Sequence, residues 1–183
     1  MKQTQQQYEA VISRCKGLFL KKAQDYGTSW RILRMPSITD QIYIKAERIR
    51  SIQESGENKV GDSIEGEFIG IINYCVIALI LWSFQEKEEE EIAAQLSNLH
   101  ALEALYDEQV ALAYETMEKK NHDYGEAWRK MRISSITDLI LMKIFRLKKI
   151  EDNKGQLLVS EGPDANYIDM LNYAVFSLIK MDL

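Results

Sequence analysis

Hydrophobic positions along the chain recur at helical spacing. Between residues 4 and 22 the apolar side chains lie three or four positions apart, and this spacing returns between residues 99 and 120. Residues 64 to 82 are apolar on most sides, which is typical of a buried helix. Apolar and polar residues nowhere alternate over the length of a strand. The pattern therefore predicts an all-α protein.

One stretch of the chain occurs twice. Residues 21 to 52 and 119 to 150 are identical at 16 of 32 positions when they are aligned with an offset of 98. The shared letters include KK, DYG, WR and SITD, followed by a spaced Lys and Arg. Each copy reads as helix, DYG loop, helix, glycine-containing loop and helix. We therefore predict a tandem pseudo-twofold repeat of three-helix units that forms a helical bundle.

The repeat also sets the predicted domain limits. We assign residues 1–84 to the first helical repeat, 85–97 to a Glu-rich linker and 98–183 to the second helical repeat. The linker glutamates are typical of a solvated helix face or a flexible connector, and we give them no chemical role. The first helix of each copy is expected to end at its DYG loop, because glycine adopts the left-handed conformation that ends helices.

The SITD segment is predicted to begin the second helix of each copy. Ser37 with Asp40, and Ser135 with Asp138, have the spacing of a capping box. In that motif both side chains accept hydrogen bonds from backbone N–H groups at the helix start. A catalytic role for the two aspartates is the alternative.

A lysine interrupts the apolar stripe of the second helix in both copies. Lys45 and Lys143 take positions that the spacing assigns to apolar side chains, and Arg48 and Arg146 follow one turn later. A buried cation must bind a carboxylate or a ligand, because burying it alone costs several kcal/mol. The four cations are therefore either phosphate ligands or members of internal salt bridges.

The third helix differs in chemistry between the copies. A one-residue insertion aligns Asn73 with Asn172, Gly70 with Asp169, and Gly66 with Ala165. Glycines four residues apart in a helix favour a close approach of backbone or ligand. A carboxylate in a buried helix needs a cation, and Asp169 is therefore expected to bind a metal or a lysine such as Lys143 or Lys45.

The DYG loops carry aromatic side chains next to arginines. A base could stack on these rings, although aromatic residues in loops also close the ends of helix bundles. The candidate residues are Asp25, Tyr26, Gly27, Trp30, Asp123, Tyr124, Gly125 and Trp128.

Composition limits the possible partners and the location. The net charge of −5 disfavours binding to a nucleic-acid polymer but is compatible with a single nucleotide. Cys15 and Cys75 lie in apolar helical patterns without metal spacing, as expected of buried free thiols. The N-terminus lacks an apolar signal segment, and the apolar run from 69 to 82 is short for a membrane span. We expect a cytoplasmic protein with no membrane partner.

The paired DYGxxWR, SITDxIxxKxxR and NY elements resemble the nucleotide modification associated domain 1 family, here in tandem form. The resemblance implies a role in nucleotide or modified-nucleotide metabolism. It also implies a distant similarity to MazG-type all-α nucleotide pyrophosphohydrolases. Those enzymes carry ExxE and ExxD motifs, whereas this chain has Lys45 and Arg48 where the first motif is expected.

These observations support two classes of function, and a third stays open. The first is Mg²⁺-dependent hydrolysis of a nucleoside phosphate, with metal-bound water attacking phosphorus. The second is nucleotide binding or regulation without turnover, and the third is a helical assembly scaffold; a homodimer is possible in each. The candidate metal ligands are Glu65, Asp164 and Asp169, of which Asp164 and Asp169 are also the catalytic candidates. The candidate substrate-binding residues are Lys45, Arg48, Lys143, Arg146, Asn73, Asn172 and the DYG-loop residues named above.

Overall fold

The computed structural model describes residues 2–157 and 161–182, and over this part of the chain it contains α-helices and no strand. The helices are α1 (Lys2–Tyr26), α2 (Met35–Ser55), α3 (Ile64–Ser83), α4 (Glu89–Gln95), α5 (Leu99–Tyr124), α6 (Ile133–Asp152) and α7 (Pro163–Met181). Single 3-10 turns, Ser29–Ile32 and Ala127–Lys130, follow α1 and α5. The predicted all-α bundle of two three-helix units is confirmed.

The first helix of each unit ends at a DYG glycine, as predicted. Gly27 and Gly125 have φ angles of +66° and +60°. This left-handed conformation is readily available to glycine, and it turns the chain from the helix into the 3-10 segment. Part of the predicted loop before α7, residues 158–160, lies outside the described residues.

The predicted capping boxes are wrong. Helices α2 and α6 have Arg34 and Arg132 at their N-caps, three residues before Ser37 and Ser135, and neither arginine side chain caps its helix. Proline is tolerated in the first turn of a helix, where backbone N–H groups lack helical acceptors, so Pro36 allows the early start of α2.

The SITD aspartates join the repeats instead. Asp40 of α2 forms an ion pair with Lys148 of α6 at 2.8 Å. The equivalent Asp138 of α6 forms a longer ion pair with Arg50 of α2, at 3.7 Å. Each helix thus presents its N-terminal aspartate to a cation near the C-terminal end of its partner. This reciprocal pairing is the arrangement that a pseudo-twofold axis between antiparallel helices produces.

The centre of the bundle is built from the third helix of each unit. Helix α3 packs on α7, α2 packs on α3, α6 packs on α7, and α2 and α6 close the layer against each other. Cys15 and Cys75 are free thiols buried in this core, as predicted. Burial raises the pKa of Cys15 to about 12, which keeps this thiol protonated near neutral pH.

Helix α3 is apolar because it is a core helix. Its 20 residues are long and apolar enough to cross a membrane, which corrects the expectation that the run is too short. In the structure, however, 61% of its most apolar window is buried inside the bundle. Packing against α2 and α7 therefore accounts for its composition.

The predicted linker contains an ordered helix. Helix α4 buries Ile92 and packs on α5, and Glu89 at its start bonds Arg31 of the first 3-10 turn. Of the two alternatives for the glutamates, a solvated helix face agrees with these contacts.

Candidate functional site

Two pockets occupy equivalent places in the two repeats. The first pocket has a volume of about 360 Å³ and the second about 520 Å³. Equivalent side chains line them, at an offset of 98 in the first two helices of each unit and 99 in the third. These are Lys22, Trp30, Lys45, Asn73 and Tyr74 in the first pocket, and Lys120, Trp128, Lys143, Asn172 and Tyr173 in the second.

The fold positions these groups by simple means. In the first pocket, Lys22 lies one turn before the glycine that ends α1, Lys45 lies in the middle of α2, and Trp30 lies in the 3-10 turn between them. The left-handed Gly27 directs the chain back, so that the 3-10 turn covers the end of the pocket. Two of the predicted DYG-loop residues, Tyr26 and Gly27, also line it.

The side chain of Lys45 packs against the backbone of Gly70. A Cβ atom added at Gly70 would be 2.7 Å from Cε of Lys45 and 2.8 Å from its Cδ. Such distances are too short for a side chain in the present position of Lys45. The expected close approach at this glycine therefore exists, and the group that approaches is the lysine.

Glu67 anchors the α2 cations of the first repeat. Its carboxylate accepts from Lys45 Nζ at 3.1 Å and also bonds Arg48. Arg48 further donates to Asn58 Oδ1 and to the Asp62 carbonyl, each at 3.0 Å. Arg48 is thus used in an internal salt bridge, the alternative to phosphate binding, and it does not line the first pocket.

Two donors of the first pocket have no partner within the described part of the chain. Lys22 is exposed, and its ammonium makes no hydrogen bond or ion pair with the described residues. Trp30 is 9% exposed, and its indole N–H likewise has no acceptor among them. This N–H is not among the fully buried polar atoms of the described residues, so it is accessible, and the pocket offers an aromatic donor as well as a cation to a ligand.

In the second pocket the corresponding lysines are neutralised. Asp169, whose side chain is 7% exposed, accepts from Lys143 Nζ at 2.6 Å and from Lys120 Nζ at 2.5 Å. Burial would lower the pKa of Lys120, but the hydrogen bond and charge of Asp169 outweigh it, and the pKa lies above its ordinary value. Lys143 therefore also forms the internal salt bridge that was the alternative to phosphate binding.

The second tryptophan is satisfied internally as well. Trp128 Nε1 donates to Asn121 Oδ1 at 3.2 Å. Its ring stacks on Phe176 with centroids 4.3 Å apart, and the Arg129 guanidinium lies 4.4 Å from the ring centroid. The residue equivalent to Asn121 in the first repeat is Ala23, which has no polar side-chain atom.

The paired asparagines hold helices together. Asn73 donates to the Cys15 carbonyl at 3.1 Å and accepts from Tyr106 at 2.9 Å. Asn172 donates to the Ala113 carbonyl and accepts from Tyr8, each at 2.9 Å. Both amides line their pockets, but internal partners already engage their oxygen and nitrogen atoms.

Most of the other candidate residues lie away from both pockets. Asp25 and Asp123 are exposed, and Asp123 contacts His122. Gly125 ends α5 without lining the second pocket, and Arg146 lies in a shallow groove beside Met142 and Phe145. Tyr124 does line the second pocket, although its side chain is largely exposed.

The predicted magnesium ligands do not fit a metal site. Glu65 is ion-paired with Arg14 at 2.6 Å, and Asp169 is enclosed by two lysines. Asp164 lies in the first turn of α7, where a carboxylate interacts favourably with the helix dipole. No group of three or more His, Cys, Asp or Glu side chains among the described residues is placed to hold a metal ion.

Lys22 and Lys120 were absent from the candidate set. The letters KK are identical in both copies, and this was an available signal. Lysine near a helix C-terminus interacts favourably with the helix dipole, so the position of the pair does not by itself indicate a pocket.

The sequence comparisons agree with the duplicated architecture. The model of a protein family described as nucleotide modification associated domain 1 matches residues 22–81 and again residues 120–181. Comparison with curated proteins and with solved structures gave no match. The similarity to MazG-type enzymes stays a prediction.

Proposed function

Because the chain belongs to the nucleotide modification associated domain 1 family, we propose that its first pocket binds a nucleoside phosphate. Lys22 and Lys45 contact the phosphate, and Trp30 donates its indole N–H to the ligand. The aromatic wall of the pocket contacts the base or the sugar. The family description concerns nucleotide modification, and a nucleotide or a modified nucleotide is the ligand class that matches it.

The main support for the proposal is that two donors, Lys22 and Trp30, have no partner among the residues that the structure describes. Their equivalents in the second repeat both have acceptors inside the protein, Asp169 and Asn121. The first repeat has Gly70 and Ala23 at those two positions. Loss of both internal acceptors in the same pocket favours an external ligand that supplies them.

The charge balance also favours an anion. Lys22 and Lys45 line the first pocket, whereas none of the Asp and Glu side chains in the described part of the chain does. Lys45 is paired with Glu67, and Lys22 has no ion-pair partner among the described residues. Lys45 has two further ammonium hydrogens, because its bond to Glu67 uses one of three. A phosphate can thus accept from both lysines without displacing Glu67.

Size and composition fit a small nucleotide. A volume of about 360 Å³ lies at the lower end of the range for small-molecule sites. Phe19, Tyr26, Trp30 and Tyr74 supply aromatic surface, and Tyr26 is 55% exposed at the mouth. Flat aromatic surface next to cations is the combination that nucleotides use in stacking and phosphate contacts.

Binding is proposed here in preference to hydrolysis. The candidate magnesium ligands are not gathered into one site, and two of them are engaged by cations. The scaffold alternative explains the salt bridges of Arg48 and Lys143, but it leaves the free donors of the first pocket unexplained.

The test is equilibrium dialysis and thermal shift with the four common ribonucleoside 5′-monophosphates, their deoxy forms and the corresponding triphosphates, each with and without Mg²⁺. Lys22→Ala should weaken binding by roughly ten- to a hundredfold, since a hydrogen bond to a charged group is worth about 1.5–3 kcal/mol. Lys21→Ala is the matched control, because Lys21 is an exposed neighbour that does not line the pocket.

Three results would decide against the proposal. Absence of binding at millimolar concentrations of every nucleotide would reject it. Equal effects of Lys21→Ala and Lys22→Ala would show that nonspecific charge attracts the nucleotide. Metal-dependent release of phosphate or pyrophosphate would instead establish the hydrolase, and this release is measured in the same samples.

A further inference from the structure

We infer that Asp169 acts as a built-in anion that closes the second pocket to nucleoside phosphates, so that each chain binds a single ligand, in the first pocket. The inference rests on the proposed function of the first pocket. It assigns Asp169 the role of a specificity-determining residue, in place of the catalytic and metal-binding roles expected from the sequence.

Asp169 and its two partners occupy positions equivalent to residues of the first pocket. Asp169 aligns with Gly70, and its two partners, Lys120 and Lys143, align with Lys22 and Lys45. The Asp169 carboxylate therefore lies between the counterparts of the two lysines proposed to hold phosphate. In the first repeat, no side chain projects from this position of the helix.

The carboxylate of Asp169 neutralises the lysines of the second pocket. Both oxygens of Asp169 are engaged, Oδ1 by Lys120 at 2.5 Å and Oδ2 by Lys143 at 2.6 Å. Glu161 also lines the second pocket and adds another negative charge. A phosphate entering here would approach a buried carboxylate and compete with it for the same two cations. The larger volume of the second pocket thus does not make it the better site for an anion.

The two repeats carry an acidic residue at different positions of their third helices. The first repeat has Glu67 and Gly70, whereas the aligned residues in the second are Asn166 and Asp169. Asn166 donates to the Gly162 carbonyl, at the start of α7. The acidic residue is thus displaced by three positions along the helix. At position 67 it bonds Arg48 and one pocket lysine, Lys45, whereas at position 169 it bonds both pocket lysines.

The test measures binding stoichiometry with the nucleoside monophosphates of the previous section and with inorganic phosphate, which is independent of the base. The wild-type chain should bind one equivalent. Asp169→Gly combined with Asn166→Glu transfers the arrangement of the first repeat to the second and should give two. Gly70→Asp, which places the anion in the first pocket, should give none.

A second variant guards against misfolding of the double substitution. Asp169→Asn preserves the shape of the side chain and removes its charge, which leaves Lys120 and Lys143 without their counter-anion. This variant should gain a phosphate-dependent increase in melting temperature that persists when Lys22→Ala is added. Lys22→Ala alone should show no such increase. Far-ultraviolet circular dichroism checks that each variant is folded.

The outcomes separate this inference from the proposed function. If the wild-type chain binds no nucleotide, the proposed function fails. If it binds two equivalents, or if folded Asp169 variants gain no second equivalent and no Lys22-independent stabilisation, the inference is overturned. In the latter case, binding that Lys22→Ala abolishes would still support the first pocket as the ligand site.

Discussion

The hydroxyl of Tyr8, in the first repeat, donates to Oδ1 of Asn172, in the second, at 2.9 Å. Tyr106 of the second repeat donates to Oδ1 of Asn73 in the first at the same distance. Each repeat therefore satisfies a polar group in the pocket wall of the other. A repeat on its own would leave its asparagine short of a donor. We conclude that the two units stabilise each other across the pseudo-twofold axis.

Removing either hydroxyl should destabilise the whole bundle. Tyr8→Phe leaves a buried asparagine oxygen without its donor, and this costs about 1–3 kcal/mol. Tyr106→Phe should have a similar effect through Asn73. The measurement is urea unfolding followed by circular dichroism, and a single transition is expected because the repeats share these bonds.

Tyr114→Phe is the control for this pair. The Tyr114 hydroxyl bonds the exposed Glu118 side chain at 3.0 Å, and its loss should change the free energy of unfolding by less than about 0.5 kcal/mol. Two separate unfolding transitions in the wild-type chain would contradict the mutual stabilisation.

Loss of the buried lysine in the second pocket should also be costly. Lys143 and Asp169 side chains are 9% and 7% exposed, and removing one partner of a buried ion pair typically costs about 3–5 kcal/mol. Lys120 still bonds Asp169, so Lys143→Ala should fall toward the lower end of this range. Denaturant unfolding measures the change. Lys149→Ala, at an exposed position of the same helix, should be nearly neutral, and equal losses for the two variants would refute the buried pair.

Two glycines in helix interiors should respond differently to alanine. Gly17 has no atom within 4 Å of an added Cβ, so Gly17→Ala should stabilise the protein by about 0.5–1 kcal/mol through helix propensity. Gly70→Ala should displace Lys45, because the added Cβ would lie 2.7 Å from its Cε. It should therefore weaken nucleotide binding while Gly17→Ala leaves it unchanged. Dialysis measures binding, and thermal melting measures stability. An unchanged nucleotide affinity of Gly70→Ala would show that binding does not require a glycine at this position.

The helical architecture could be predicted because it is encoded locally. Apolar spacing identifies the three helices of each repeat but not α4, the DYG glycines end α1 and α5, and an identity of 16 in 32 positions reveals the duplication. The N-terminal ends of α2 and α6 could not be obtained from the SITD letters, because serine and aspartate suit several helical positions. Asp40 and Asp138 satisfy cations of the opposite repeat, and sequence spacing within one repeat contains no information about that contact.

The functional difference between the pockets required three-dimensional structure. The sequence shows that Gly70 aligns with Asp169, but it does not show that Lys120 reaches Asp169 from α5. Lys45 and Lys143 could be recognised because they interrupt apolar stripes, whereas Lys22 and Lys120 lie near helix ends, where lysine is common. Likewise, the acceptor that Asn121 provides to Trp128 is separated from it by a turn whose geometry the sequence does not specify.

The contact between Thr39 and Glu151 yields a prediction on pH. Thr39 of α2 donates to Glu151 Oε1 of α6 at 2.6 Å. At the symmetry-related place, Gln53 Nε2 of α2 donates to Thr137 Oγ1 of α6 at 3.2 Å. Burial raises the pKa of Glu151 above its ordinary value, and nearby Asp40 adds to the increase, although the Thr39 hydrogen bond opposes it. The folded protein therefore favours the protonated carboxyl, and ionisation of Glu151 lowers stability as pH rises through its folded-state pKa.

Glu151→Gln should remove this effect, because the amide stays neutral and its oxygen still accepts from Thr39. Relative to the wild type, the variant should gain stability between about pH 4.5 and neutrality, and the gain should vanish below pH 4.5, where the unfolded carboxyl is also protonated. Gln53→Glu is the mirror variant and should lose stability over the same interval. Unfolding free energies measured from pH 4 to 7 test both variants. If the stability gained by Glu151→Gln did not change with pH, the gain would come from packing and not from ionisation of the carboxyl group.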